Sequence, residues 1–158
     1  MADLELCAAI SDAFGPSGYE KEAVDVIESS LGGLAAHRDS MQNLYVSLPQ
    51  NVGGRPLVML DAHTDEVGFM VRKIEKNGLL RFEKLGGHDD RVLPSEHVLV
   101  HGAKGACHGI IGTISCHMRR FDDEKLVRHY RQLYIDVGAR DDAGVREMGI
   151  SEGDSITW

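Results

Sequence analysis

The chain has 158 residues, of which 42% are hydrophobic and 27% charged, and this composition predicts a soluble globular protein of one ordinary domain or two small ones. A net charge of −8 with scattered Lys and Arg argues against a nucleic-acid partner. No apolar run approaches the roughly 20 residues that span a bilayer, which argues against a membrane partner. The N-terminus lacks the basic region of a secretory signal, and the 3 cysteines form no disulfide framework, so we expect a cytoplasmic protein.

Two amphipathic helices are predicted at the start of the chain. Residues 3–14 carry apolar side chains at helical spacing, and a break at 15–18 separates them from a second helix. Ser17 is suited to be the N-cap of that helix, with Glu20 as its capping-box partner. The predicted apolar stripes comprise Leu6, Ala9, Ile10 and Ala13 in the first helix and Ala23, Val26 and Ile27 in the second.

Strands follow the helices. Residues 34–48 predict two strands around a bend at 39–43, and the apolar run 57–60 predicts a central strand that is buried on both faces. Helices followed by such a strand are typical of an α/β layer structure. Because a central strand needs neighbours on both sides, the first 66 residues resemble only part of a sheet domain, and we expect its exposed edge to cause self-association.

The pattern changes after residue 66, and we place a domain boundary near 66–70. Residues 67–74 and 79–85 predict a hairpin around the turn Asn77-Gly78. Further short strands at 98–101, 109–114 and 133–137 indicate a small β-barrel or sandwich, and a helix is predicted near 141–148. The polar stretch 117–131 is typical of a solvated loop.

The most informative motif is His63-Thr64-Asp65, which follows the apolar run 57–60. In an extended backbone, side chains two residues apart point to one face, so His63 could bind a metal while Asp65 contacts its other ring nitrogen. From the motif alone, a hydrogen-bonded histidine at a strand end is the favoured interpretation of His63, and Asp65 could instead cap the following turn. In an extended strand Asp61 would point to the same face as His63 and Asp65 and could join them, but a solvated carboxylate at the strand end is the favoured interpretation.

Other candidate sites have weaker patterns. Cys107-His108 and Cys116-His117 could suggest zinc, but they lack Cys-x-x-Cys spacing, and ordinary buried cysteines are favoured. The segment GGHDDRVL at 86–93 predicts a turn with side-chain hydrogen bonds, with an acidic metal site as the lesser alternative.

Several segments together resemble one family, the co-catalytic metalloaminopeptidases of the TET, deblocking and glutamyl-aminopeptidase type. The matching segments are PSGYE at 16–20, DSMQNLYV at 39–46, AHTDEVGFMV at 62–71, GGHDDRVL at 86–93, HGAKG and GIIGT within 101–113, LYIDVGAR at 133–140 and MGISEGDSI at 148–156. Each segment alone is a modest match, but their order along the chain makes the resemblance specific.

The resemblance implies an α/β metallopeptidase sandwich interrupted by an inserted β-barrel for dimerisation, often within dodecamers. Residues 1–66 would form the N-terminal part of the catalytic domain and 67–158 the insert. His63 would bind one of two divalent ions (zinc, cobalt or manganese), Asp65 would support it, and peptides would be the substrates. A contact near the active-site entrance is a further possible role for His117.

The family's remaining ligands and its general base follow the insert, so we expect the 158-residue chain alone to be inactive. The alternative is a non-catalytic fragment that acts as an assembly or binding module.

Overall fold

The computed structural model describes residues 3–51, 53, 58–118 and 127–158. The chain divides into two compact units, Met1–Glu66 and Val67–Trp158. Within the described residues, no helix has the length and apolar character needed to cross a membrane. The predicted α/β class with a small barrel is confirmed, since the first unit carries two helices and the second a closed β-barrel.

The first unit contains both predicted helices, α1 (Leu4–Asp12) and α2 (Lys21–Ser29). Asp3 caps α1, because its side chain accepts a hydrogen bond from the amide of Leu6 at 3.1 Å. The helices bury few side chains. None of the side chains of α1 is fully buried, and in α2 only Ala23 and Val24 are.

The predicted N-cap of α2 is wrong. Glu20 occupies the cap position and makes no capping hydrogen bond with its side chain. Ser17 lies outside the helix, and its hydroxyl donates to the carboxylate of Asp65 instead. The carboxylate of Glu20 accepts from the amide of Gly18 at 2.7 Å, so neither half of the capping box forms.

The predicted strand pair at 34–48 is confirmed as β1 (Ala36–Arg38) and β2 (Leu44–Val46), which are antiparallel. Asp39 closes the bend between them, because one carboxylate oxygen accepts from the amide of Asn43 at 3.0 Å.

The buried strand predicted at 57–60 is wrong for residues 58–60, which belong to no strand. Val58, Met59 and Leu60 are 79%, 82% and 94% exposed. A strand buried on both faces requires a partner on each side. Among the described residues of the first unit, the only sheet is the pair β1–β2, so the run has no partner. Leu57 lies outside the described residues.

The second unit is a closed six-stranded barrel in the order β3-β4-β7-β6-β5-β8, and all its pairings are antiparallel. Its strands are β3 (Gly68–Ile74), β4 (Leu79–Leu85), β5 (His97–Gly102), β6 (Gly105–Gly112), β7 (Tyr134–Asp136) and β8 (Ser155–Thr157). Helix α3 (Asp142–Glu147) precedes β8, and in the described residues two 3₁₀ turns occupy Cys116–Met118 and Tyr130–Gln132. The predicted hairpin, later strands and helix are confirmed.

Turn chemistry and core packing explain why the barrel forms here. Gly78 has a φ of +82° in the β3–β4 turn, a conformation that favours glycine. Inside, the rings of Phe69 and Phe82 meet edge to face at 5.1 Å. Ile156 of β8 is fully buried and pairs with both β3 and β5, which closes the barrel and leaves no free edge.

Candidate functional site

His63 and Asp65 lie together in the first unit, although neither belongs to a strand. The Nδ1 atom of His63 is 3.1 Å from Oδ1 of Asp65 and 3.1 Å from its main-chain oxygen. Both of these oxygens are acceptors, so Nδ1 must carry the proton and donate. The contact forms within three residues of chain and needs no sheet.

Protonation of Nδ1 leaves the other ring nitrogen, Nε2, with a lone pair in the neutral imidazole. Among the described residues, none bonds to Nε2, and the side chain of His63 is 86% exposed. The ring therefore presents to solvent a nitrogen that is able to bind a metal, while a carboxylate fixes its tautomer. Many metal-binding histidines have a carboxylate in this second position.

Ser17 provides the second contact of Asp65. Its Oγ donates to Oδ2 of Asp65 at 2.5 Å, so the two carboxylate oxygens face different partners. This hydrogen bond, followed by the nearby His63, lowers the pKa of Asp65 below its ordinary value. The carboxylate is thus held in its charged form, as an acceptor for the ring of His63 requires.

Glu66 holds the loop that carries Ser17. The amide of Glu66 donates to the carbonyl of Gly15 at 2.8 Å, and its side chain accepts from the amide of Gly15 at 3.3 Å. Pro16 and Glu66 also form an isolated parallel bridge. Sequence reasoning assigned no role to Glu66 and placed Ser17 in a helix cap, and no local signal pointed to contacts across some 50 residues of chain.

A cavity of about 300 Å³ opens beside this pair. Its polar side comprises Ser11, His63, Thr64, Asp65 and Glu66, and its apolar side comprises Ile10, Ala13, Gly15, Ala23 and Ile27. These apolar residues come from the two helices and the segment between them. Asp61 is exposed and does not line the cavity.

The donor set suits a divalent metal but is too small to form a complete site. An imidazole nitrogen backed by a carboxylate fits zinc, cobalt or manganese. Catalytic zinc sites use about three protein ligands per metal. In the part of the chain that the structure describes, no group of three His, Cys, Asp or Glu side chains could hold an ion.

Among the described residues, Cys107, His108 and His117 belong to no group of three side chains that could hold a metal, and the side chain of Cys116 lies outside the described part of the chain. Cys107 lies half-buried on β6, where burial raises the pKa of its thiol, while His108 is exposed on the same strand. His117 is exposed in the 3₁₀ turn, and its contact role stays a prediction.

The loop at 86–93 forms the predicted turn with side-chain hydrogen bonds. Oδ1 of Asp89 accepts from the amide of Arg91 at 2.9 Å, which confirms that interpretation. The Arg91 guanidinium also bonds this carboxylate and lowers the pKa of Asp89 to about 2.

The neighbouring side chains of this loop have structural partners. The ring of His88 stacks on Phe69 at a centroid distance of 4.4 Å. Asp90 bonds the ammonium of Lys84 and accepts from the amide of Tyr130 at 3.0 Å. These pairings join the loop to β3, β4 and the second 3₁₀ turn, and they leave no acidic metal site here among the described residues.

A second, larger groove of about 670 Å³ lies on the outside of the barrel, across β5, β6 and β7. Its walls include His97, His108, Ile110, Tyr134 and Asp136, and its floor includes Gly109 and Gly112. A Cβ at Gly112 would lie 2.3 Å from a ring carbon of Tyr134, so the absence of a side chain at Gly112 leaves the space that this ring occupies.

The comparisons with known proteins agree with this fold. Residues 43–158 match the family described as M42 glutamyl aminopeptidase, and the chain belongs to this family. The resemblance noted in the sequence is thereby confirmed. The family is one of metal-dependent aminopeptidases, enzymes that hydrolyse peptide bonds.

Individual relatives support the assignment. The chain is 31% identical to the lysyl aminopeptidase of Pyrococcus furiosus over 157 residues, which are 97% of this chain and 44% of that protein. It superposes on a TET aminopeptidase of Thaumarchaeota archaeon SCGC AB-539-E09 with a TM-score of 0.90 and 34% identity, over 98% of this chain and 43% of the other.

A further solved relative is the TET1 peptidase of Pyrococcus horikoshii, described as assembling into a tetrahedron or a large octahedral shell. Its TM-score is 0.83 at 31% identity, over 98% of this chain and 46% of the relative. The chain therefore spans less than half of the length of these relatives.

Proposed function

We propose that this chain is the N-terminal portion of a dinuclear metal-dependent aminopeptidase that removes N-terminal residues from peptides. His63 binds one divalent ion through Nε2, and Asp65 holds the ring. The observation that carries the proposal is the pair of 3.1 Å contacts from Nδ1 to Asp65, with Nε2 directed away from them beside a cavity.

In this proposal the two side chains have distinct tasks. Asp65 accepts the Nδ1 proton of His63, which fixes the tautomer and raises the basicity of Nε2. When bound, the two divalent ions would supply a nucleophilic water and polarise the scissile carbonyl. Zinc, cobalt and manganese all suit the imidazole and carboxylate donors.

The assignment of the two units follows from the same proposal. The unit Met1–Glu66 is the N-terminal part of the catalytic domain, and Val67–Trp158 is an inserted barrel for dimerisation and larger homo-oligomers. The assembly described for the Pyrococcus horikoshii relative supports the second assignment. The cytoplasmic location stays a prediction.

Because this chain supplies His63 and Asp65 but no described group of three ligands, we expect it to bind metal weakly and not to hydrolyse peptides by itself. The test is a titration of the 158-residue chain with Co²⁺, followed by calorimetry and by absorbance. His63→Ala should abolish the weak site. His37→Ala is the matched control, because His37 is an exposed histidine of the same unit that does not line the cavity.

Two results would refute the proposal for this chain. If the wild type and His63→Ala bound Co²⁺ with equal affinity, His63 would not be a metal ligand. Zinc- or cobalt-dependent release of an N-terminal residue by the purified chain would show that its own residues suffice for catalysis.

A second candidate function is a non-catalytic assembly or binding module. The closed barrel favours it, because the core of that unit is complete while the donor set in the first unit is not. The variant His63→Ala distinguishes the two candidate functions. It should weaken metal binding if the chain is part of an aminopeptidase. It should change neither the assembly nor any other property of the chain if the chain is only an assembly module.

A further inference from the structure

Ser17 donates a hydrogen bond to the carboxylate of Asp65, which in turn holds the ring of His63. Among the described hydrogen bonds to this carboxylate, it is the one that comes from outside residues 63–65. Its Oγ lies 2.5 Å from Oδ2 of Asp65, within the range of a charge-assisted hydrogen bond between a hydroxyl and a carboxylate. The opposite oxygen, Oδ1, lies 3.1 Å from Nδ1 of His63. The three side chains therefore form a hydrogen-bonded chain from Ser17 through Asp65 to His63.

The position of Ser17 is fixed independently of that bond. The loop before it is tied to Glu66 through the 2.8 Å and 3.3 Å hydrogen bonds with Gly15 and through the bridge to Pro16. On its other side, Tyr19 donates its amide to the carbonyl of Pro16 at 2.7 Å, which closes a turn around Ser17. Hydrogen bonds on both sides of Ser17 therefore fix the backbone that carries its hydroxyl toward Asp65.

We propose that Ser17 is a positioning residue of the metal site, an inference that rests on the proposed function. By occupying Oδ2, the hydroxyl prevents the carboxylate of Asp65 from turning about its Cβ–Cγ bond, so Oδ1 stays aligned with Nδ1. The imidazole of His63 is then held as the tautomer whose Nε2 can bind a divalent ion. No proton leaves Ser17, and its role is orientation alone.

The primary test is the tautomer of His63 in the metal-free chain. Long-range ¹H–¹⁵N correlation spectra distinguish a ring protonated at Nδ1 from one protonated at Nε2, and His63→Ala assigns the signals. The wild type should show the Nδ1-protonated form. Ser17→Ala should give a mixture of both forms, and Ser17→Thr, which keeps the hydroxyl, should restore the wild-type spectrum.

A matched control is Ser11→Ala, since Ser11 lines the same cavity and, in the described part of the chain, donates no hydrogen bond to Asp65. It should leave the tautomer unchanged. If Ser17→Ala fails to fold, as judged from backbone amide shifts, the nearly isosteric Ser17→Cys removes the strong donor for the tautomer measurement, which uses no metal.

The second readout is Co²⁺ affinity. Substituting a residue that orients a ligand weakens metal binding by about 10–100-fold, and we expect about tenfold for Ser17→Ala because it acts through Asp65. The role of Ser17 would be overturned if Ser17→Ala changed neither the tautomer of His63 nor the Co²⁺ affinity. If His63→Ala lost Co²⁺ binding in the same experiment, the proposed function would still stand. Unchanged affinity in His63→Ala would instead refute the proposed function, while the tautomer would still decide the role of Ser17.

Discussion

Replacement of Gly102 by alanine should destabilise the barrel, because no side chain fits where β5 ends. A Cβ built at Gly102 would lie 2.6 Å from the carbonyl oxygen of Gly149 and 3.0 Å from its carbon. It would also lie 3.3 Å from Cα of Ile150. All three atoms belong to the main chain, so no side-chain rotation can relieve the contact.

The cost can be assembled from the local geometry. Forcing an extra methyl group into a packed site costs about 1–3 kcal/mol. The carbonyl of Gly149 also accepts from the amide of Ala103 at 2.9 Å, and weakening that bond costs about 1 kcal/mol. Reduced freedom of the unfolded chain returns about 0.4–1 kcal/mol. We expect a net loss of about 2 kcal/mol for Gly102→Ala.

Urea unfolding followed by fluorescence measures this loss. Trp158 is the single tryptophan of the chain and packs against Phe69 at 5.1 Å, so its emission reports on the barrel. With a slope of about 1–2 kcal/mol/M, the midpoint should fall by roughly 1–2 M. Gly87→Ala is the control, because a Cβ there meets nothing within 4 Å. Equal midpoints for the two variants would refute the steric argument.

Three further predictions concern other parts of the chain. Arg91 lowers the pKa of Asp89 from its ordinary 3.8 to about 2. The ion pair therefore stabilises the fold above pH 3.8, and this stabilisation is lost as the pH falls through about 2. A carbon NMR titration of Asp89 should show this low midpoint, and Arg91→Gln should move it toward 3.8; an unmoved midpoint would exclude Arg91 as the cause. Tyr130→Phe removes the hydroxyl that bonds Glu83, and the free energy of unfolding in urea should fall by about 1–2 kcal/mol, whereas wild-type stability would show that this bond contributes nothing net. Serine at all three positions of 58–60, which are 79–94% exposed, should reduce self-association in sedimentation velocity, and a monodisperse wild-type monomer would contradict this.

Much of the barrel could be predicted because its signals are local. Asn77-Gly78 marks a tight hairpin, and the alternation on either side gives two strands whose register the turn fixes. Strand β8 was not predicted, since Ser155–Thr157 is only three residues long and pairs with β3 and β5, which lie far away in sequence. Short strands defined by distant partners carry little signal of their own.

The apolar run at 57–60 shows where the same reasoning fails. Its composition is that of a strand buried on both faces, but burial depends on neighbouring strands and not on the run itself. In the described residues of the first unit those neighbours are absent, and residues 58–60 remain exposed. Composition can therefore indicate what a segment requires without showing that the chain supplies it.

The error at Ser17 points back to the site. Ser-x-x-Glu before an apolar run is a sound capping signal, in which the serine oxygen accepts a hydrogen bond from a neutral amide. The hydroxyl of Ser17 instead donates to a charged carboxylate, which gives a stronger hydrogen bond. Ser17 therefore turns to Asp65, and α2 begins at Lys21 without a side-chain cap, which forgoes about 1 kcal/mol of helix stability. Positions at which local sequence rules fail are often functional or strained. Here the broken rule coincides with the carboxylate that fixes His63, which is why we assign Ser17 to the site rather than to the helix.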